Sequence, residues 1–160
     1  MKQQLFLYLS ILFQAVAAFG QVSEKQQPGF INAHPADHLP SYIKLACGFG
    51  ERPDWSHDGE YILFVNKPMG EVYELELATG IIRPKTRHFK HYGFTRAMYL
   101  SNGDILLSGP KAPFDPIDNE EREQARDHCW LSVMDKSCIK EPVPLNTLCA
   151  EGPAVSRTRM

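Results

Sequence analysis

An all-β fold made of repeated four-stranded antiparallel units is what this sequence predicts. Three observations carry the prediction. Short apolar runs have strand spacing, while few windows show the 3.6-residue period of a helix. Twelve prolines and eleven glycines are spread along the chain and divide it into short segments. A serine corner at Ser56 returns at Ser101 and Ser156, 45 and 55 residues further on. With 43% hydrophobic and 22% charged residues in 160, the composition is that of a globular domain.

The chain opens with "MKQQLFLYLSILFQAVAAFG", residues 1–20. One lysine precedes an apolar run from Leu5 to Ala18, and small residues follow at two possible cleavage points. The run falls short of the roughly 20 residues that span a bilayer. A cleavable signal peptide is expected, and with it a secreted or periplasmic protein without membrane insertion in its mature form. Removing residues 1–20 takes Lys2 and no acid, leaving 16 bases against 19 acids. That balance gives no electrostatic reason to expect nucleic acid as a partner. Residues 21–39 are expected to be extended. Residues 40–50, "PSYIKLACGFG", have the look of a fourth strand donated to a closing unit.

The first unit begins near residue 51. "ERPDW" leads into Ser56, and Asp58-Gly59 is a turn dipeptide before the apolar run "YILFVN". "EVYELEL" (71–77) alternates apolar and acidic residues, as a half-exposed strand does. "IIRPKTR" (81–87) follows, and its Pro84 assigns it to an edge. The second unit begins near 96: "RAMYL", the turn Asn102-Gly103, then "DILLSG". In this reading Ser101 stands for Ser56, and Asn102-Gly103 replaces His57-Asp58-Gly59. A polar insertion, 111–128, contains a candidate helix from Asn119 to Asp127 with Asp118 as its N-cap. "WLSVMD" (130–135) and "IKEPVPL" (139–145) complete the unit. A third unit would begin near 151, where "EGPAVS" repeats the pattern of "ERPDWS".

A period of this length suggests propeller blades of four strands each. "RPDWSHDGEYILF" together with "VYELELATGIIRPKT" resembles the repeat of TolB-like beta-propellers, and "RAMYLSNGDILLSG" does so more loosely. The resemblance implies a partial TolB-like beta-propeller over 40–160, of about two to three blades. Four to eight blades close a propeller. An open edge therefore asks for remaining blades from a longer protein, or for self-association.

Four cysteines, Cys47, Cys129, Cys138 and Cys149, suit an oxidising compartment. Cys47 and Cys149 precede equivalent strands two units apart, beyond the roughly 7 Å Cα limit of a disulfide. They are not expected to pair with each other. Cys129 and Cys138 flank one strand and its turn, where a local link is conceivable.

Candidate ligand-binding residues lie where strands enter the units: Glu51, Arg52, Arg96 and Glu151. The stretch "TRHFKHYGFTR" (86–96) adds His88 and His91 among phenylalanines and a tyrosine. Cations beside aromatics suit an anionic or sugar-like ligand. The alternative is that the aromatics pack between units and the charges are solvated. No metal site or cofactor is indicated: His34 and His38 stand in a proline-flanked loop with no further ligands. Ser56, His57 and Asp58 are consecutive, so they cannot form the line of nucleophile, base and orienting acid that a hydrolase needs. Their corner reads as structural.

The expected function is that of an exported module binding protein or glycan, with the chain a fragment of a longer protein. The resemblance leaves two alternatives. One is part of a propeller enzyme, oligogalacturonate-lyase-like or peptidase-associated. The other is a truncated, non-functional remnant.

Overall fold

A computed structural model describes residues 34–149 and 152–158. The expected signal peptide and most of the following extended segment lie outside the described residues. The chain divides into two compact units, Met1–Lys44 and Leu45–Met160. In the first, "PADH" makes a single turn of 3-10 helix, Pro35–His38. Proline suits its first position because no helical partner exists there for an amide N–H. The His34 ring instead accepts from the Ala36 amide at 3.2 Å.

The second unit is all-β with one short helix. Strands β1 (Glu51–Trp55), β2 (Tyr61–Val65), β3 (Val72–Glu76) and β4 (Ile81–Pro84) form one four-stranded antiparallel sheet in sequence order. Strands β5 (Arg96–Tyr99), β6 (Ile105–Gly109), β7 (Cys129–Met134) and β8 (Val143–Cys149) form a second with the same order. Neither sheet closes on itself. Helix α1 (Asn119–Asp127) lies in the insertion between β6 and β7. Asp118 caps it as expected, accepting from the amides of Glu120 and Glu121.

The two hairpin corners show where the repeat register lies. Gly59 N donates to Ser56 O, and Gly103 N donates to Leu100 O. Asp58 Oδ1 accepts from Glu60 N, as Asn102 Oδ1 does from Asp104 N. Both glycines hold positive φ, 75° and 88°, which costs a residue without Cβ nothing. Ser56 is therefore equivalent to Leu100, and Ser101 to His57. The expected serine correspondence is wrong by one residue: Glu60 is the extra residue, and it follows the glycine. Ser56 is buried while Ser156 is exposed, so the three serines do not share an environment. The strand alignment itself survives, because the gap closes before Tyr61 and Asp104.

Three further expectations are corrected. Residues 45–50 form no strand; Phe49 instead packs its ring edge-on against Phe64 and Tyr73, at 5.6 and 5.9 Å between centroids. The last strand of the second sheet runs from 143 to 149 rather than from 139 to 145. Pro142, without an N–H to donate, precedes the strand; Val143 and Pro144 pair with Val133 and Ser132, and pairing resumes at Leu148 and Cys149. The pairing takes up the change in register by placing Asn146 in the left-handed region, φ 53°. Lastly, the described residues of the expected third unit, 152–158, contain no strand.

The sheets pack through one buried cluster. Leu63, Val65 and Val72 of the first sheet meet Ala97, Tyr99, Ile105, Leu107 and Met134 of the second, with Phe94 between. β5 lies across β1 and β2. The segment before β5 is held by a bridge in which Gly70 and Phe94 exchange both backbone hydrogen bonds. Gly93 allows this close approach, since a Cβ there would run into the Met69 carbonyl.

Candidate functional site

The bridge between Gly70 and Phe94 fixes the wall of a cleft. β1 carries an extra residue between Glu51 and Asp54 relative to β2. Arg52 absorbs it with φ 54°, and its side chain is thrown towards the second sheet. There Nη1 donates to the Thr95 carbonyl at 2.7 Å. The β2–β3 loop supplies Lys67, Pro68 and Met69, and the insertion supplies Phe114, Pro116 and α1. Together they enclose about 480 Å³.

Four bases line this cleft, Arg52, Lys67, Arg122 and Arg126, against one acid, Glu123. Arg122 and Arg126 are four apart on α1 and so face the same way. Arg122 donates to Asn119 Oδ1 at 2.8 Å, and Arg52 lies 3.9 Å from Glu51. Among the described residues neither Lys67 nor Arg126 has an ion pair. A cationic concavity in a chain of net charge -2 is a local feature, not a consequence of composition. Guanidinium forks and an ammonium in such a space suit carboxylate, sulfate or phosphate groups, through charge-assisted hydrogen bonds.

The residues singled out in the sequence fall in different places. Arg52 is in the cleft and Glu51 beside it. His91 stands apart, in a groove of about 200 Å³ with Phe89, Tyr92, Phe94 and Trp130. Its Nδ1 accepts from the Gly93 amide at 3.0 Å, so Nε2 carries the proton that faces Glu71 Oε1 at 3.3 Å. Glu71 in turn accepts from Thr86 Oγ1, which accepts from the Val72 amide. Both ring nitrogens are thus engaged within the fold. His88 is exposed against Phe89, with ring centroids 4.9 Å apart. Arg87 turns away to Tyr73, donating to its hydroxyl at 3.1 Å. Arg96 lies on β5 alongside Gly152, and Glu151 is outside the described residues. The aromatics Phe89 and Phe94 pack against or within the core cluster.

The Ser-His-Asp corner has no catalytic geometry. Ser56 Oγ donates to Asp58 Oδ1 at 2.6 Å and accepts from the Tyr61 amide, while His57 Nε2 is 2.9 Å from the Leu100 carbonyl. Those bonds, from Ser56 first and then from the Glu60 amide, hold the Asp58 carboxyl below its ordinary range. Among the described residues no group of three metal-ligating side chains converges.

Sequence reasoning missed Lys67, Arg122 and Arg126. The i,i+4 arginine pair on the insertion helix was a signal for one facing cation pair. Nothing local in the sequence tied it to Arg52, some 70 residues earlier in the chain.

No family model, no curated protein and no solved structure matches this chain.

Proposed function

We propose that the two sheets are consecutive blades of a TolB-like beta-propeller that serves as an exported binding platform. Its ligand is an anionic glycan or an acidic protein surface seated in the Arg52 cleft. The reading of the cleft rests on one observation: four bases and a single acid line it.

The reading as blades is supported by how the faces correspond. In the second sheet Tyr99, Ile105, Leu107 and Met134 lie on the face that packs on the first. Register places Trp55, Ile62, Phe64 and Leu75 at the same positions of the first sheet. Those residues lie on its opposite, outer face, along an apolar groove of about 480 Å³ with Leu45, Cys47 and Phe49. Each sheet thus offers one face of one kind and one of the other, as stacked blades do. Trp55 is half-exposed in that groove. A further blade, from a longer protein or a second copy, is the occupant such a face calls for.

Calorimetric titration with oligogalacturonides at low ionic strength tests the binding reading. Binding that weakens with added salt is expected, and Lys67→Ala with Arg126→Ala should weaken it by roughly tenfold or more. Binding unchanged in that double variant would remove the cleft as the site. No binding of any anionic oligosaccharide or acidic peptide would remove the function.

A further inference from the structure

We infer that Cys129 and Cys149 form a disulfide site that ties the edge strand β8 to β7. The two are directly opposed in the antiparallel ladder, the last pair of its register. Opposed residues of such a ladder stand roughly 4.5–5.5 Å apart at Cα with side chains on the same side of the sheet. That spacing falls inside the range a disulfide spans, about 4.4–6.8 Å. The other cysteines have no such relation. Cys138 lies beyond the far end of β7, and an extended run from 129 to 134 alone covers roughly 16 Å. The local link between Cys129 and Cys138 is therefore ruled out. Cys47 lines the outer groove of the first sheet.

Cys129 is buried and Cys149 is partly exposed, which sets the order of events. The Cys149 thiolate attacks a small-molecule disulfide such as oxidised glutathione, forming a mixed disulfide and expelling one glutathione thiolate. The Cys129 thiolate then attacks the Cys149 sulfur and expels the second. The protons lost by the two cysteines are taken up by the two glutathiones, so one disulfide is exchanged for another. Cys129 Sγ now sits 3.2 Å from the Arg126 carbonyl and 3.5 Å from Thr95 Oγ1. These are weak thiol contacts, and rotation about χ1 gives them up cheaply. Closing the bond fixes the end of β8, an exposed strand with one proline, Pro144, and a register shift.

The test is exposure of the purified protein to oxidised glutathione, alkylation of remaining thiols, tryptic digestion and mass spectrometry. Cys129, Cys138 and Cys149 fall in separate tryptic peptides, 127–136, 137–140 and 141–157. A linked pair of 127–136 with 141–157 is expected, with Cys138 alkylated. The oxidised protein should melt roughly 10 °C above its Cys149→Ser variant, and Cys47→Ser should keep the full gain. Alkylation of both Cys129 and Cys149 after oxidation, or a link from Cys129 to another cysteine, overturns the assignment.

Discussion

The Tyr99 hydroxyl donates to Glu74 Oε1 at 2.7 Å, across the junction of the two sheets. Tyr99 ends β5 and Glu74 is central in β3. The same carboxylate binds Lys85 at 2.8 Å, and the Tyr99 amide donates to Asp54 of β1 at 2.9 Å. Two acids of the first sheet therefore receive one residue of the second, which fixes how the sheets meet. Apolar burial brings the sheets together without direction; these polar contacts choose the register.

That arrangement makes Tyr99 a poor acid. Burial first, then the Glu74 hydrogen bond and charge, push its pKa far above the ordinary 10.0. The folded state holds the proton more tightly than the unfolded state. Its contribution to stability is thus complete below pH 10 and is lost as pH climbs above that value. Alkaline unfolding should be shallower in Tyr99→Phe than in the parent chain, and phenolate absorbance should show one tyrosine that ionises only on unfolding.

The Ser56 corner makes a prediction of opposite sign. The Asp58 carboxyl is held low by Ser56 and by the Glu60 amide, so its contribution is present above its ordinary value of 3.8 and is lost as pH falls. Ser56→Ala should move the Asp58 pKa upward, as read by NMR titration. It should also cost about 1–2 kcal/mol in urea denaturation, because the buried hydroxyl no longer accepts from the Tyr61 amide.

Gly93 is a position of backbone approach. Its φ is 94° and a Cβ would strike the Met69 carbonyl. Gly93→Ala should lower stability by more than about 2 kcal/mol, measured by the urea midpoint. Gly48→Ala should be nearly neutral, since a Cβ there meets nothing within 4 Å.

Strands from 51 to 109 were legible because turn dipeptides bound them and "EVYELEL" alternates. Matching serines suggest one correspondence, but hydrogen bonds set another: the extra residue in the first corner is Glu60, placed after the glycine. The prolines of "EPVP" point to an edge strand ending at 145, but the ladder begins at Val143 and Pro144 and resumes beyond a bulge at Leu148 and Cys149, and no apolar alternation marks that continuation. At the site, Arg52 was visible as an entry residue. Its fellow bases were not, since Lys67 comes from the β2–β3 loop and Arg122 and Arg126 from the insertion helix, and only the folded chain brings them to one cleft. His91 carried an obvious chemical letter, but pairing with Glu71 and Gly93 commits it to the fold.

The docking of the two sheets underlies both the blade reading and the cleft, and a double-mutant cycle between Tyr99 and Glu74 tests it most directly. Tyr99→Phe, Glu74→Ala and the double variant are each unfolded in urea. A coupling energy of about 1–2 kcal/mol is expected, the signature of direct contact across the junction. Additivity within about 0.3 kcal/mol would contradict it, for the two side chains would then belong to sheets that do not meet there.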